Sequence, residues 1–488
     1  MIGVDSIEPT LVDAWADQGL LPAFDWLRRN GSTSDLASPF PGLAGGVWPE
    51  VNYGASAGKV GAWNILHSYR HPGESPLSAA SKSQFWLLAS EAGKRAAVID
   101  PVYGVLDRDS NTHQLLDWGM HDDRGFSAKS SPTDWLPAVR ALYGPYPVDD
   151  CDSIHGATET GYLKLSGLLE TAVELRTNLV ADLLDASDWD LMACTFAAAH
   201  CAGHQMWHLL DPADAGDGGS IRRDLQTMLR VYRALDSAVG RVIESAGSDA
   251  LILVVALKGM GPSLGGQQLV PGVLHGLGLG PERRLRRRIW DHVPRTAKAR
   301  LRKVLPEQVR TKFLVGAEPG FHNGSRAMYI RSDQDAAVRL NLIGREAAGV
   351  VEPGEEADRI LGRLRDEFLA LRLPERSEEA IVERVIITDE HWDPGRVAGI
   401  PDMIVQFRTD LGVLDACTSD SIGTVRAPMT EARTGNHTSH HRLWAVGPGI
   451  TAGARIEAHT TDVAPTLLSH LDVALPPGID GRPIPELG

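Results

Sequence analysis

The chain alternates between two kinds of hydrophobic pattern. Unbroken apolar runs of strand length occur at MIGVD (1–5), in RAAVIDPVYG (95–104), in DLMACTFAAA (190–199) and in ALILVVAL (250–257). Between them, apolar residues recur every three or four positions in 11–31, ending at Gly31, in LSGLLETAVELRTNLVADLLDA (165–186) and in LQTMLRVYRALDSAVGRVIESA (225–246). The first pattern predicts strands buried on both faces and the second predicts amphipathic helices. Helices alternating with continuous apolar strands imply a parallel sheet covered on both sides. From 38 to 61, small residues, Gly and Pro predict a loop followed by a helix. Between 64 and 150 the pattern defines only the strand in RAAVIDPVYG. Further along, SRAMYIRS, AAVRLNLIG, DMIVQF and HRLWAVGPG read as strands, and ADRILGRLRDEFLALRL and DVAPTLLSHL as helices. No internal repeat is visible.

Composition adds bounds. A chain of 488 residues, 43% hydrophobic and 23% charged, has ordinary globular composition and room for one large domain with insertions. No apolar run is long enough to cross a membrane as a helix. The first residues lack a basic stretch followed by an apolar one, so no signal peptide is expected. Cys151, Cys194, Cys201 and Cys417 form no CxxC pair, which points to reduced thiols in a cytoplasmic protein. The net charge of −15 argues against nucleic-acid binding by the chain as a whole. One stretch departs from it: residues 282–312 hold 12 Arg and Lys against 3 Asp and Glu. Broken at Pro294 and Pro306, it reads as a basic helical insertion or cap over 282–320, either solvated or docking an anionic partner or membrane surface. The segment 323–415 is expected either as a subdomain or as further strands of the main sheet.

Polar residues with chemical capacity follow the predicted parallel strands. Asp5 follows MIGV, His200 and His204 follow CTFAAA, and Lys258 follows ILVVAL. Ligands of open α/β sheets bind outside the carboxyl ends of the strands, so these residues can converge. In AAAHCAGHQMWHLLDP, a helix would put His200, His204 and His208 near one face. TGNHTSHHRLW supplies His437, His440 and His441. Imidazole is a common zinc ligand, and two clusters beside strand ends favour a metal site over isolated surface or core histidines. Trp207 and His208 are candidates to line the cleft and bind substrate. Arg345 is a candidate for an anion or for an ion pair with Glu346.

The order of these motifs resembles the phosphodiesterase/nucleotide-pyrophosphatase branch of the alkaline-phosphatase superfamily. GVDSIEPTLVDAWADQGLLPAFDWLRRNG is similar to that group's first strand, metal-binding Asp and helix. VWPEVNYGASAGKVGAW is similar to the stretch after its nucleophile, HCAGH to its D-x-x-x-H, LKGMGP to its D-H-G-M, and GNHTSHHRLWAVGPGI to its late metal-binding His. The resemblance implies an alkaline-phosphatase-like α/β fold, a mostly parallel central sheet with helices on both faces, to which the basic insertion is added. It also implies departures. One metal position becomes His200, His204 and His437, an all-imidazole set suited to zinc. The second becomes Asp5, Ala44, Leu257 and Lys258, of which only Asp5 can ligate. Val60 stands where the group has a histidine. One zinc or other divalent ion is therefore expected rather than two, with Lys258 and Asp5 as catalytic residues and Lys258 also binding substrate. The lysine either holds a substrate oxyanion or pairs with Asp5. Ala44 carries no hydroxyl, so the implied nucleophile is a water on the metal. The activity implied is hydrolysis or transfer at an anionic phosphate or sulfate ester, most plausibly a phosphodiester. The alternatives are a binding protein that keeps the fold and a structural metal, and acyl or carbamoyl chemistry at one metal.

Overall fold

The computed structural model describes residues 1–39, 46–61, 84–119, 128–148, 158–210, 226–280, 324–332, 335–390, 400–429 and 433–487. Ala44, Cys151 and the basic stretch 282–320 lie outside these residues. The described chain forms two compact units, one reaching from Met1 to Pro262 and resuming at Ala432, the other lying within Ser263–Glu431.

The first unit is built on an eight-stranded sheet. Its strands in chain order begin with β1 (Ile2–Asp5), β2 (Ser32–Asp35), β3 (Ala96–Ile99), β4 (His113–Leu116), β5 (Lys129–Ser131), β6 (Leu191–Phe196) and β7 (Ile252–Leu257), and end with Arg442–Val446. Across the sheet the order is β2, Arg442–Val446, β7, β1, β6, β3, β4, β5. The five strands from β7 to β4 are mutually parallel. The Arg442–Val446 strand runs antiparallel to β7 and β2, and β5 antiparallel to β4.

The apolar runs explain this placement. In β7, Ile252, Val254 and Ala256 face one core, with Val12, Phe24, Leu169 and Val239 from helices. Leu253, Val255 and Leu257 face the other, with Trp48, Phe85 and Leu468. Strands apolar at every position are needed because both faces are covered. Residues 11–31, predicted as one helix, form two: α1 (Pro9–Asp17) and α2 (Pro22–Asn30). Gly19 between them adopts φ 73°, and Pro22 lacks the N–H that a continuous helix would bond at that point. The helix at 165–186 starts earlier than the pattern indicates, at Glu159. No helix among the described residues is long and apolar enough to cross a membrane.

The second unit has its own antiparallel sheets. One orders Val382–Ile387, Met403–Phe407, Ala336–Leu340 and Ala327–Arg331. The other includes Ala416–Ser419 paired with Gly423–Arg426. The Glu355–Ala370 helix buries Leu361, Leu364 and Phe368 in the same core as Val338 and Val405. Arg345 sits in an ion pair, its guanidinium donating to Asp402 at 2.7 Å and to Glu346 at 3.0 Å.

Candidate metal centre

β1 lies between β6 and β7, so the carboxyl ends of these strands adjoin. Asp5 is the last residue of β1, and Ser6 follows with φ 61°. After β6 the chain turns directly into the helix Ala198–Met206, whose first and second turns carry His200 and His204. After β7 comes Lys258, with φ 57°, then the short strand β8 (Met260–Pro262). β8 pairs antiparallel with Gly435–His437, and His437 lies opposite Met260. This local pairing carries the late histidine to the end of β7.

The rings of His200, His204 and His437 meet edge to face, with centroids 4.7 to 4.8 Å apart. One ligand atom from each lies within 4.8 Å of the others, the one such group of His, Cys, Asp and Glu among the described residues. His204 and His437 are buried. Each Nδ1 is turned outward to a group that accepts. His200 Nδ1 donates to Asp5 Oδ2 at 2.7 Å. His204 Nδ1 donates to the Gly435 carbonyl at 2.8 Å. His437 Nδ1 lies 3.4 Å from the Lys258 carbonyl and 3.2 Å from Ser6 Oγ. A carboxylate or carbonyl only accepts, so these partners put the proton of His200 and His204 on Nδ1 and the lone pair on Nε2; at His437 the Lys258 carbonyl favours the same tautomer, while Ser6 Oγ can donate or accept. Three such lone pairs suit a divalent ion, and partners on the far nitrogens are what orient metal-binding imidazoles. Burial pushes the pKa of His204 well down, and the Arg433 charge adds to this. Burial, then Lys258, do the same for His437. Both rings are held neutral, the form that ligates. The donor set therefore fits zinc or a similar divalent ion.

Asp5 stands behind His200. Its Oδ1 accepts from the indole N–H of the buried Trp48 at 2.6 Å, and its Oδ2 from His200. Burial acts to raise the Asp5 pKa, but His200, Lys258 and the Trp48 hydrogen bond outweigh it and hold the carboxyl below its ordinary value. Asp5 therefore adjoins the three-ring group through the Nδ1 of His200. The buried Lys258 donates its backbone N–H to His441 Nδ1 at 3.0 Å, and its charge acts on Asp5, His437 and His441. His440 is turned away to Glu8, its Nδ1 donating to Oε1 at 2.9 Å.

His208 does not join His200 and His204. The helix ends at Met206 and a tighter turn, Trp207–Leu209, rotates it away. Its ring packs against Tyr162, and its Nδ1 lies 3.0 Å from Thr434 Oγ1. Trp207 packs against the core instead. Ser6, Trp48, Gly435 and Arg433 are the members that the sequence pattern missed. Ser6 follows a strand-end Asp and Arg433 lies four residues before His437, adjacencies that were the available signals. Gly435 is required by contact: a Cβ there would stand 2.2 Å from the Gly203 carbonyl oxygen.

No family model matches the sequence, and no curated protein matches it. The chain is similar in structure to murine ectonucleotide pyrophosphatase/phosphodiesterase 5, with TM-score 0.50, 12% identity, and coverage of 98% of this chain and 95% of that one. The fold is alkaline-phosphatase-like. Other solved structures similar to the chain are a mutant of the alkaline phosphatase PafA and a phosphonoacetate hydrolase. The PafA mutant has 14% identity, TM-score 0.47, and coverage of 99% and 98% of the two chains. The hydrolase, from Sinorhizobium meliloti 1021 in complex with phosphonoformate, has 15% identity, TM-score 0.45, and coverage of 97% and 95%.

Proposed function

We propose that the chain is a metal-dependent hydrolase or transferase acting on a phosphate or sulfate ester at a single divalent ion, zinc by donor chemistry, held by His200, His204 and His437. One observation carries this reading: His200, His204 and His437 bring one ligand atom each within 4.8 Å of the others, while His200 and His204 turn Nδ1 to the Asp5 carboxylate and the Gly435 carbonyl. The ion, when bound, supplies Lewis-acid polarisation of an ester oxygen and acidifies water near neutral pH. The chain's residues do the rest. Asp5 holds the Nδ1 proton of His200, and the Gly435 carbonyl holds that of His204. Lys258 brings positive charge to the end of β7, where the resemblance expects ligands of a second ion, and opposes charge built up on a substrate oxygen. With Ala44 at the implied nucleophile position, attack falls to water. The described cysteines Cys194, Cys201 and Cys417 are buried, and a reducing, cytoplasmic setting belongs to this reading.

A second reading, a binding protein without turnover, is favoured by one contact: Arg433 Nη1 lies 3.3 Å from His204 Nε2, where it competes with an ion. Metal content measured by mass spectrometry separates the two. Protein purified without chelator or affinity metal should hold about one ion per chain, as a catalytic site with three protein ligands and an open position does. The His200→Ala/His204→Ala double variant should hold none. Hydrolysis of p-nitrophenyl phosphate, bis(p-nitrophenyl) phosphate and p-nitrophenyl sulfate by the loaded protein then tests the activity. A wild-type chain that takes up no ion even on reconstitution ends the enzymatic reading.

A further inference from the structure

Attack by water leaves a proton to be removed, and the residues at the end of β7 narrow where it goes. His200, His204 and His437 supply the ligand atoms. The Asp5 carboxylate already accepts from Trp48 and His200. His441 Nδ1 accepts the Lys258 backbone N–H at 3.0 Å, which puts the proton of that neutral ring on Nε2. His440 is built the opposite way. Its Nδ1 donates to Glu8 Oε1 at 2.9 Å, so its neutral ring carries the lone pair on Nε2, on the far side of the ring from Glu8. The His440 side chain is 53% exposed and that of Glu8 3%.

Glu8 is fixed from several directions. Its two oxygens meet five donors: His440 Nδ1, the backbone N–H and hydroxyl of Thr10, the Met260 N–H and the Thr438 hydroxyl. These bonds tie the start of α1 to β8 and to the loop that follows His437. His440 lies on that loop, three residues after His437, at most about 10 Å along an extended backbone. Its carbonyl accepts from the Gly259 N–H at 2.9 Å, and the Gly259 carbonyl accepts from Thr438 at 2.8 Å, so the loop runs beside Lys258. The Glu8 bond first, then its charge and that of Asp35, favour the charged ring. They outweigh desolvation and Arg442 and raise the pKa of His440. The charge of His440 also reaches the neighbouring His441, as that of Lys258 does. A solvent-facing imidazole oriented by a buried carboxylate is the arrangement of a general base whose imidazolium is stabilised from behind.

We propose that His440 is the proton relay of this centre, taking at Nε2, through intervening water, the proton that the attacking water loses, with Glu8 as its positioning residue. As the water oxygen bonds to phosphorus or sulfur, the ester bond breaks with its electron pair on the leaving oxygen, and one proton of the water passes to Nε2. The imidazolium then gives that proton to the bulk buffer, and the ring returns to its first state. This rests on the metal reading above and adds the base that water attack requires.

The test uses the full chain loaded with zinc, bis(p-nitrophenyl) phosphate as substrate, and NMR titration of isotope-labelled histidine, with metal content measured on the same samples. His440→Ala should keep the zinc of the wild type, lose about 100-fold in kcat in dilute buffer, and regain activity as imidazole is added. In the wild type, one ring signal that is absent from His440→Ala should titrate above the ordinary 6.5. In Glu8→Gln that titration and the acid limb of the rate profile should move down together, because Nε2 accepts only while the ring is neutral. Full kcat in His440→Ala overturns the assignment. A loss that imidazole does not restore, or that comes with loss of zinc, also overturns it, since a purely structural tie to Glu8 produces either. A His440 titration that moves in Glu8→Gln while the rate limb stays does so too. A wild-type chain that holds zinc but turns over no ester removes the hydrolase reading, and the relay with it, while the titration still reports the pair.

Discussion

Two buried polar clusters sit at carboxyl ends of the same sheet and differ in how they are closed. At the end of β3, Asp100 accepts from the backbone N–H groups of Trp118 at 2.9 Å and Gly119 at 2.7 Å and pairs with the Arg176 guanidinium, which also donates to the Thr195 carbonyl. Arg176 and Asp100 are 1% and 0% exposed, and one charge answers the other. At the end of β1, the carboxylate of Asp5 is satisfied in the same manner, by Trp48 and His200. The rings beyond it are different. They turn Nδ1 outward to the Asp5 carboxylate and to the Gly435 and Lys258 carbonyls, and the three rings meet edge to face with centroids 4.7 to 4.8 Å apart. A buried carboxylate answered by a guanidinium is scaffold, whereas three imidazoles gathered edge to face form a donor set that suits a cation.

Substitution should separate the clusters cleanly. His204→Ala should abolish metal binding while leaving the urea unfolding midpoint of the metal-free protein little changed. Arg176→Met should do the reverse, costing about 3–5 kcal/mol in urea unfolding because Asp100 is left as an uncompensated buried charge, with metal content of the folded fraction unchanged. Equal loss of stability in both variants would erase the distinction.

A third buried carboxylate sharpens the contrast because it has hydroxyl and amide partners. Glu50 accepts from Ser38, Thr460 and the backbone of Ala57, yet burial outweighs these bonds and pushes its pKa up to about 7. The folded state therefore keeps a proton that the unfolded chain gives up near the ordinary value of 4.5. Stability should be greatest below that value, fall as pH rises to about 7, and level off above it, by about 3 kcal/mol in all. Glu50→Gln should flatten the profile of melting temperature between pH 5 and 8. An unchanged slope would show that another group carries it.

The smallest expected effect tests orientation alone. Asp5→Asn keeps the size of the side chain but no longer requires the proton of His200 on Nδ1. Zinc affinity should fall about 10- to 100-fold while the fold persists, read by competition with a chromophoric chelator. Wild-type affinity in this variant would reduce Asp5 to a partner of Trp48.

What was legible in the sequence follows from the range of the interactions. The runs ending at Asp5, Phe196 and Leu257 declared themselves because both faces of each strand are buried, and periodicity records that locally. The break between α1 and α2 was legible too, in Gly19 and Pro22, but the continuing apolar pattern overrode it. Gly435–His437 is a strand of 3 residues, too short for any period to show. The three imidazoles were found by spacing and by family resemblance. Their partners were not, since Ser6 to His437 spans 431 positions and His204 to Gly435 spans 231. Nothing in either local stretch records which backbone carbonyl will meet which ring.

The Trp48 contact gives the centre an optical voice. An indole whose N–H is bound to a buried carboxylate has its excited state tuned by that carboxylate's charge, and Asp5 in turn shares a proton with His200. Any event that changes the electron demand on His200 is passed through two hydrogen bonds to a chromophore sealed from solvent. Trp48 is one of 12 tryptophans, so a variant that keeps it alone would report occupancy of the site through its emission without a label.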